Sequence, residues 1–340
     1  MNKKIEAAVI GSGVWGTAIS GLLADKDYDV RSWEFNEETA SFLQQNRTHP
    51  MLPFYVLPDG VKIYTELKKV ICAPDIIVIA IDSRFIRSTA REINKLLEGK
   101  RLPYIIAVSK GVEAGSFKTV CQILEEEIPG ASDYSMIMTG PSFAVEVAAA
   151  APTKVVLAGK NLNNVKAAAK LIEGGPLKIE ISDDRLGAEL GGSLKNAYAV
   201  GSGIIDGLSQ AAKNSEAAFL IESANELCRI ITTLGGKQET AWGLTGIGDL
   251  LLTATSAKSR NFRFGKEIGK GLSADQAQKK IKTVVEGREA IKNIHALCLA
   301  NRINAPVIAA IYKIVYDGRE PVSILKAAGF SDDITNTKII

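Results

Sequence analysis

The sequence predicts an α/β protein in which a doubly wound sheet is followed by an all-α domain. Short apolar strand patterns alternate with helical patterns from residue 4 to about residue 182, which is typical of a parallel sheet with helices on both faces. A glycine-rich turn directly follows the first strand pattern. From residue 183 onward, helical patterns continue without a strong strand pattern. We therefore predict two domains, at residues 1–182 and 183–340.

The composition is that of a globular protein with room for two domains. Of the 340 residues, 46% are hydrophobic and 23% are charged. The net charge of +3 comes without a basic block and gives no case for nucleic-acid binding. The N-terminal stretch reaches the glycine-rich turn without a hydrophobic signal core. We therefore predict a cytoplasmic protein that does not insert into a membrane.

Residue counts also argue against metal and serine-hydrolase chemistry. The chain has two histidines and four scattered cysteines, which form no CxxC pair. A zinc site or a Ser-His-Asp triad is therefore not expected, and we predict no metal ligands. Acid–base chemistry then falls to lysine, aspartate or glutamate side chains.

The first strand pattern, at residues 4–10, runs into a G-x-G-x-x-G motif at residues 11–16 and then a helical pattern. Gly11 permits a tight turn, Gly13 lets the backbone approach a pyrophosphate at the helix N-terminus, and Gly16 allows close helix–strand packing. This context predicts a dinucleotide site in a Rossmann-type domain.

The second strand pattern, at residues 28–35, carries an acidic residue at its end. Glu34 lies about 20 residues past the glycines, where an acid bonds the adenosine ribose hydroxyls. A carboxylate there would repel a 2′-phosphate, so we predict a preference for NAD, with NADP as the other candidate. The role of Arg31 stays open, because strand alternation does not settle which face it occupies.

Further strands are predicted at residues 61–64, 75–81, 103–108, 136–138, 153–159 and 176–182, with helices at 83–98 and 161–173. The last strands are candidates for antiparallel additions to the sheet. Lys110 follows the strand predicted at residues 103–108 and is placed to meet a cofactor or substrate, although a solvated loop is the alternative. Ser142 lies in a tight turn into a helix, where its hydroxyl and nearby amides could face an anion.

In the second half, helices are predicted at 184–207, 214–234, 261–269, 273–280, 287–301 and 305–317. Lys195 is the only charge between Glu189 and Asp206, in a segment that is otherwise apolar, small or neutral. Such a lysine either extends to the surface along its own stem or needs a buried partner. Asp249 is equally isolated between flanking charges, so we expect the two to pair.

Two other features of the helical half are informative. Gly187 and Gly191 lie four residues apart and would let another helix approach closely. Ser259, Arg260 and Asn261 lie at a predicted helix start, which suits a phosphate held by a guanidinium and backbone amides. The alternative is a surface capping sequence with an exposed arginine.

Seven motifs in series resemble the soluble NAD(P)-dependent glycerol-3-phosphate dehydrogenase family. They are GSGVWGTA at 11–18, SKGVE at 109–113, GPSFAVEV at 140–147, GGSLKN at 191–196, GLTGIGDL at 243–250, SRNFRFG at 259–265 and VEG at 285–287. The resemblance covers nearly the whole chain. It implies reversible reduction of dihydroxyacetone phosphate to sn-glycerol 3-phosphate, a precursor for glycerophospholipid synthesis, by a homodimer.

The resemblance also implies site residues. Lys195 matches the catalytic lysine, and we expect it to act as the acid that protonates the alkoxide, with Asp249 and Lys110 assisting. The implied substrate positions are Lys110, Gly140, Ser142, Lys195, Asn196, Asp249, Ser259, Arg260 and Asn261. The implied cofactor positions, together with Gly11, Gly13, Gly16 and Glu34 from the fingerprint, are Val14, Trp15, Lys110, Ala144, Arg260 and Glu286.

The chain departs from the family pattern at several places. Asp82 stands where a proline is common, Glu222 where an arginine is common, and Arg288 follows the VEG motif where an apolar residue is usual. Phe35 and Asn36 occupy the place of a frequent arginine, which agrees with the predicted preference for NAD. Two other functions remain open: a related lysine-dependent hydroxy-acid dehydrogenase, and an NADH sensor without turnover.

Overall fold

The structure, a computed structural model, describes residues 4–209 and 211–331. Within these ranges the chain forms two compact units, residues 4–110 with 118–185 and residues 111–117 with 186–331. The sequence predicts one boundary after residue 182. In the structure the boundary follows Arg185, and the short segment 111–117 joins the helical unit although it lies in the first half of the chain.

The first unit is built on one eight-stranded sheet. Its strands are Glu6–Ile10 (β1), Asp29–Trp33 (β2), Val61–Tyr64 (β3), Ile76–Ile79 (β4), Tyr104–Ala107 (β5), Ser135–Thr139 (β6), Thr153–Gly159 (β7) and Leu177–Ser182 (β8). Every residue of β4 is buried, as expected for an apolar run in a parallel strand covered on both faces.

The strand order is β3-β2-β1-β4-β5-β6-β7-β8. Strands β1 to β6 pair in parallel, β7 pairs antiparallel with β6, and β8 is parallel to β7. The doubly wound prediction and the antiparallel additions at its end are thereby confirmed. The order reverses between β1 and β4, and ligands of such sheets bind at the carboxyl ends of the strands on either side of that reversal.

Seven α-helices belong to the described part of this unit. They are Val14–Ala24 (α1), Glu37–Asn46 (α2), Leu67–Val70 (α3), Ile86–Leu97 (α4), Val120–Glu127 (α5), Ala144–Ala148 (α6) and Leu162–Ile172 (α7). Helix α4 buries Ile86, Ala90, Ile93 and Leu97, a helical spacing that turns one face to the sheet. Asn36 caps α2 by accepting the Thr39 N–H at 2.8 Å.

The described residues of the second unit contain helices and no β-strand. The helices are Arg185–Gly207 (α8, whose first residue closes the first unit), Lys213–Thr233 (α9), Gln238–Trp242 (α10), Asp249–Ala254 (α11), Arg260–Gly269 (α12), Ala274–Ile281 (α13), Glu286–Ala300 (α14), Pro306–Tyr316 (α15) and Ile324–Ala327 (α16). One turn of π-helix, Leu244–Gly248, directly precedes α11. None of the described helices combines the length and apolar character that a membrane crossing requires.

Helix α8 is the centre of this unit. Nearly all of its residues are buried, and its small side chains let neighbouring backbones come close. A Cβ added at Gly203 would lie 2.0 Å from the carbonyl oxygen of Phe262 on α12. Helices α8 and α12 are therefore in backbone contact, and this fixes where the start of α12 lies relative to Lys195.

Candidate active site

Lys195 lies inside the helical unit and does not extend into solvent. Its side chain is 11% exposed, and its Nζ lies 2.7 Å from Oδ1 of Asp249. The same Nζ donates to the hydroxyl of Thr253 at 2.9 Å. The pairing of Lys195 with Asp249 that the sequence predicts is present. A buried lysine with two fixed acceptors has a defined direction, which a proton donor needs.

Asp249 is fully buried and is the first residue of α11. Thr253 follows it by one helical turn, so both side chains face Lys195. The Thr253 hydroxyl donates to the Asp249 carbonyl at 2.7 Å, which leaves its oxygen to accept from Lys195. Sequence reasoning missed Thr253, because a neutral side chain leaves no charge signal; its i+4 spacing from Asp249 could have indicated it.

The π-helical turn before α11 packs against α8 close to Lys195. A Cβ added at Gly191, one turn before Lys195, would lie 2.5 Å from the Thr245 carbonyl oxygen. Gly187 is likewise close to a neighbouring backbone, since a Cβ at Gly236 would lie 2.9 Å from its Cα. The close approach expected from the spacing of Gly187 and Gly191 therefore occurs, to a turn and a loop.

A second polar group joins α8, α12 and α14 next to Lys195. Asn196 accepts from the Asn261 amide at 2.9 Å and donates to the Glu286 carboxylate at 3.2 Å. Asn261 also accepts the Gly287 N–H at 2.9 Å. Both asparagines are buried, so these bonds align the starts of α12 and α14 on the middle of α8.

Arg260 is the first residue of α12, after the cap residue Ser259, whose hydroxyl accepts the Phe262 N–H at 3.2 Å. The Arg260 side chain is 39% exposed and lies 3.6 Å from the half-exposed carboxylate of Glu286. A helix N-terminus with a guanidinium beside it is suited to an anion. Of the predicted phosphate residues, Arg260 presents its charge to solvent, whereas the Asn261 side chain is buried in helix contacts.

In the first unit, the glycine-rich turn has the geometry that the motif predicts. Gly11 has a φ of +101°, and a Cβ there would lie 2.6 Å from the Ala80 carbonyl oxygen. A Cβ at Gly16 would lie 1.8 Å from the Gly11 carbonyl oxygen. At Gly13 an added Cβ would meet no atom within 4 Å, and no side chain caps helix α1, which begins at the half-buried Val14 and Trp15. Open space at an uncapped helix N-terminus fits a pyrophosphate.

Glu34 follows β2 and is held by backbone amides. Its carboxylate accepts the Ser12 N–H at 3.3 Å and the Asn36 N–H at 3.1 Å. Each carboxylate oxygen retains acceptor capacity for a ribose hydroxyl. Arg31, whose role the sequence leaves open, lies 3.2 Å from Asp29 and 3.7 Å from Glu6, so its charge is engaged at the amino end of the strand.

Lys110 is half-buried and lies three residues past the end of β5, at the carboxyl edge of the sheet. The preceding residue, Ser109, is buried and donates its hydroxyl to the Ile81 carbonyl at 2.5 Å. Ser109 thus ties the loop after β5 to the loop after β4. Sequence reasoning did not single it out.

Asp82, a departure from the family pattern, is neutralised within its own loop. It accepts from the Arg84 guanidinium at 2.7 and 3.0 Å and from the Arg84 N–H at 3.0 Å. Burial alone would raise the pKa of Asp82, but the bonds from Arg84 outweigh it and lower that pKa below its ordinary value. Asp82 therefore need not present an uncompensated charge to a dinucleotide.

The turn after β6 contains the other residues predicted for the first unit. Gly140 has a φ of +143°, and a Cβ there would lie 3.2 Å from the Val155 Cα. The Ser142 hydroxyl donates to the Gly140 carbonyl at 3.0 Å, and the buried Ala144 begins α6. Ser142 thus stabilises the turn.

The departures at Glu222 and Arg288 lie in the second unit. Arg288 pairs with Asp275 at 2.7 Å, and its guanidinium lies 6.0 Å from the Tyr316 ring centre. Glu222 is exposed on α9. No three histidine, cysteine, aspartate or glutamate side chains within residues 4–209 and 211–331 are grouped so that they could hold a metal ion.

Two family models match this chain. The one described as the N-terminus of NAD-dependent glycerol-3-phosphate dehydrogenase matches residues 6–165, and the one described as its C-terminus matches residues 184–326. The second matched range begins at residue 184, one residue before Arg185, where the sheet unit ends.

Individual proteins are similar over most of their length. The chain is 34% identical over 322 residues to a glycerol-3-phosphate dehydrogenase (NAD(P)+) of Oceanobacillus iheyensis, covering 94% of this chain and 92% of that protein. It is 35% identical over 312 residues to the protein of the same name from Clostridium tetani, covering 92% and 88%. A crystal structure of glycerol-3-phosphate dehydrogenase from Coxiella burnetii matches with a TM-score of 0.88 at 32% identity, over 95% of this chain and 98% of that one.

Proposed function

Because this chain belongs to the NAD-dependent glycerol-3-phosphate dehydrogenase family, we propose that it interconverts dihydroxyacetone phosphate and sn-glycerol 3-phosphate with a nicotinamide cofactor. The observation that carries the proposal is the contact of a nearly buried Lys195 with a fully buried Asp249. We assign dinucleotide binding to the first unit and substrate binding with proton transfer to the helical unit.

When bound, the cofactor supplies the hydride that reduces the ketone. The resulting alkoxide needs a proton, and Lys195 donates it from Nζ. Asp249 favours the charged form of the amine and Thr253 fixes its direction, which supports the acid role. Lys110 contributes positive charge toward substrate or cofactor.

The substrate phosphate binds at the start of α12. The backbone amides of Arg260 and Asn261 and the Arg260 guanidinium are the donors that support this proposal. Ser259 and Asn196 hold that end of the helix, and Gly140 and Ser142 are proposed substrate positions through the family resemblance. Binding energy from the phosphate, which does not react, orients the carbonyl near Lys195.

For the cofactor, we propose a preference for NAD on the basis of Glu34. The glycines, Val14 and Trp15 bind its pyrophosphate, while Ala144, Arg260 and Glu286 are proposed contacts through the family resemblance. Comparing KM for NADH and NADPH tests the preference. A lower KM for NADPH would contradict the proposal that Glu34 bonds the adenosine ribose hydroxyls.

The family resemblance also supports a cytoplasmic homodimer whose product feeds glycerophospholipid synthesis. Four cysteines without a disulfide in the described residues suit a reducing compartment. Light scattering after gel filtration measures the dimer, and a mass of one chain would contradict it.

The decisive experiment follows NADH absorbance on addition of dihydroxyacetone phosphate, with pyruvate and other simple keto acids as comparison. We expect oxidation with the phosphorylated ketone. Turnover of keto acids alone would favour a hydroxy-acid dehydrogenase, and NADH binding without oxidation would favour a sensor.

Lys195→Ala is expected to lower kcat more than about tenfold while NADH still binds. Because the change leaves Asp249 buried without its cation, the single variant is compared with Lys195→Met/Asp249→Asn, which removes both charges. Retention of more than about a tenth of kcat in a folded variant would contradict the acid role.

A further inference from the structure

The first turn of α14 is held on two sides, and its inner side adjoins the start of α12. Asn196 donates to the Glu286 carboxylate at 3.2 Å, and the Gly287 N–H donates to Asn261 at 2.9 Å. A Cβ added at Gly287 would lie 2.7 Å from the Asn196 carbonyl oxygen. The Glu286 carboxylate also lies 3.6 Å from the Arg260 guanidinium. The position of this turn therefore sets where the counter-charge of Arg260 lies.

On the outer side, the same turn is held by Arg288, one of the departures from the family pattern. Its guanidinium pairs with Asp275 of α13 at 2.7 Å and lies 6.0 Å from the centre of the Tyr316 ring on α15. The Tyr316 hydroxyl donates to the Arg288 main-chain carbonyl at 2.6 Å. Residues two apart on a helix do not share a face, so Arg288 contacts α13 and α15 while Glu286 contacts α8.

Tyr316 is itself fixed by a stack of rings between α14 and α15. The ring centres of Tyr316 and Tyr312 are 5.0 Å apart, and the His295 ring of α14 stacks on Tyr312 at 4.2 Å. Burial raises the pKa of Tyr316 to about 12, so its hydroxyl keeps its proton at neutral pH and remains a donor. The outer contact of the turn therefore has a defined direction.

We propose that Arg288 and Tyr316 are positioning residues for the substrate site: they hold the first turn of α14 so that Glu286 orients the Arg260 guanidinium for the phosphate. The inference rests on the proposed function, because it requires the phosphate at the start of α12. The pair with Asp275, which is 77% exposed, would contribute little by itself. The main-chain bond from Tyr316 and the ring contact add to it, and a misplacement of about 1 Å in an orienting group can cost up to about a hundredfold in rate.

Two variants each remove one part of the outer contact. Arg288→Met removes the charge, and Tyr316→Phe removes the hydroxyl but keeps the ring. We expect each to raise KM for dihydroxyacetone phosphate about three- to tenfold, the range of one lost hydrogen bond. Because saturating substrate compensates for a weakened grip on the phosphate, kcat should fall less than about twofold. Arg288→Lys, which keeps a cation beside the ring, should recover part of the loss, and Lys292→Met, at an exposed position of the same helix, is the matched control.

A double-mutant cycle shows whether Arg288 acts through Glu286. If it does, Arg288→Met should raise KM less than about twofold in a Glu286→Gln background. An equal rise in both backgrounds would overturn the proposal, because Arg288 would then act without Glu286. An unchanged KM in Arg288→Met or in Tyr316→Phe would overturn the role of that residue. The Arg288 side chain is partly exposed, so Arg288→Met is expected to fold and decides the matter even where Tyr316→Phe does not.

Hydrogen exchange of the amides at residues 286–290 gives a readout that is independent of turnover. Arg288→Met should speed this exchange about tenfold, whereas Lys292→Met should not. Unchanged exchange in Arg288→Met would contradict the claim that this side chain holds the turn. A wild-type protein that binds NADH but does not reduce dihydroxyacetone phosphate would end the proposed function, and the exchange result would still show whether Arg288 fixes the turn.

Discussion

The Thr253 hydroxyl acts both as a donor and as an acceptor of hydrogen bonds. It donates to the Asp249 carbonyl at 2.7 Å and lies 2.9 Å from the Lys195 ammonium. Because its hydrogen is used by the carbonyl, the oxygen acts toward Lys195 as an acceptor, and an acceptor favours the protonated amine. At the scale of single residues, this side chain therefore adds to the effect of Asp249 in favouring the charged amine.

We expect Thr253→Val to lower the rate of ketone reduction about tenfold, the order of a lost hydrogen bond to a charged group. The alkaline limb of the kcat/KM profile should move to lower pH, because the ammonium loses an acceptor. Thr253→Ser keeps the hydroxyl and serves as control. An alkaline limb that stays in place in Thr253→Val would show that the threonine only fills space.

Arg260 presents a partly exposed guanidinium at the start of α12. Substituting it shows whether this charge serves binding of the substrate or of the cofactor. Arg260→Ala is expected to raise KM for dihydroxyacetone phosphate ten- to a hundredfold, roughly the value of a charge-assisted bond. Direct NADH binding should change far less. Arg263→Ala, at an exposed position of the same helix, is the control. Equal losses for substrate and NADH would assign Arg260 to the cofactor.

The isolated charges of Lys195 and Asp249 could be read from the sequence because an unpaired charge inside an apolar segment is costly. The bonds between Asn196, Asn261 and Glu286 could not, since neutral amides are compatible with many surroundings. Glu34 was found through its spacing from the glycines. The position of Thr253 depends on where α11 begins, and the π-helical turn before α11 sets that start.

At the scale of secondary structure, the π-helical turn Leu244–Gly248 sets the start of α11 and hence the position of Asp249. The turn lies against α8 only because residue 191 has no side chain. A pattern search with a period of 3.6 residues does not detect a π-turn, and this glycine-rich stretch has weak helix propensity. Helices α10 and α11 were therefore not predicted, while α8, α9, α12, α13, α14 and α15 were found within a few residues.

Gly191→Ala tests whether this contact positions Asp249. The added methyl would lie 2.5 Å from the Thr245 carbonyl oxygen, so the turn must shift, at a cost of about 1–3 kcal/mol. We expect kcat to fall much more than NADH affinity. Gly248→Ala, whose Cβ would meet its nearest atom at 3.5 Å, is the control. A Gly191→Ala enzyme with unchanged kcat would show that the turn does not control Asp249.

At the scale of the whole molecule, the doubly wound sheet and the helical unit follow from patterns repeated over many residues. The short segment 111–117 was missed because its contacts are non-local. Val112 is buried, and its carbonyl accepts from the Asn293 amide at 2.8 Å, 181 residues away along the chain. Local periodicity holds no information about such a partner.

Stability of the sheet unit should depend on pH through Glu125. Its carboxylate lies 2.7 Å from the buried Arg185 guanidinium and 2.8 Å from Lys160. Burial alone would raise the pKa of Glu125, but the bonds from Arg185 and Lys160 outweigh it and lower that pKa below 4.5. A carboxyl whose pKa is lower in the folded than in the unfolded state stabilises the folded protein at pH values above its unfolded-state pKa. This contribution is lost as the pH falls through the folded-state pKa.

We therefore expect Glu125→Gln to lower Tm by several degrees at pH 7, at about 2–4 °C for each kcal/mol lost. The difference should shrink as pH falls below about 4, when the wild-type carboxyl takes a proton. Glu180→Gln breaks an exposed pair with Lys154 and should change Tm little. A Tm gap that widens on acidification would contradict the sign.

Segment 111–117 also has a consequence for biosynthesis. Its seven residues leave the ribosome long before α14, which carries Asn293, at a translation speed of about 5–20 residues per second. The helical unit therefore cannot finish folding until α14 has been synthesised, many seconds after segment 111–117. During this time Val112 is uncovered in the nascent chain. A fragment that starts at residue 183 would lack this piece altogether, so separate expression of the C-terminal half should yield an incompletely folded product that is prone to aggregate.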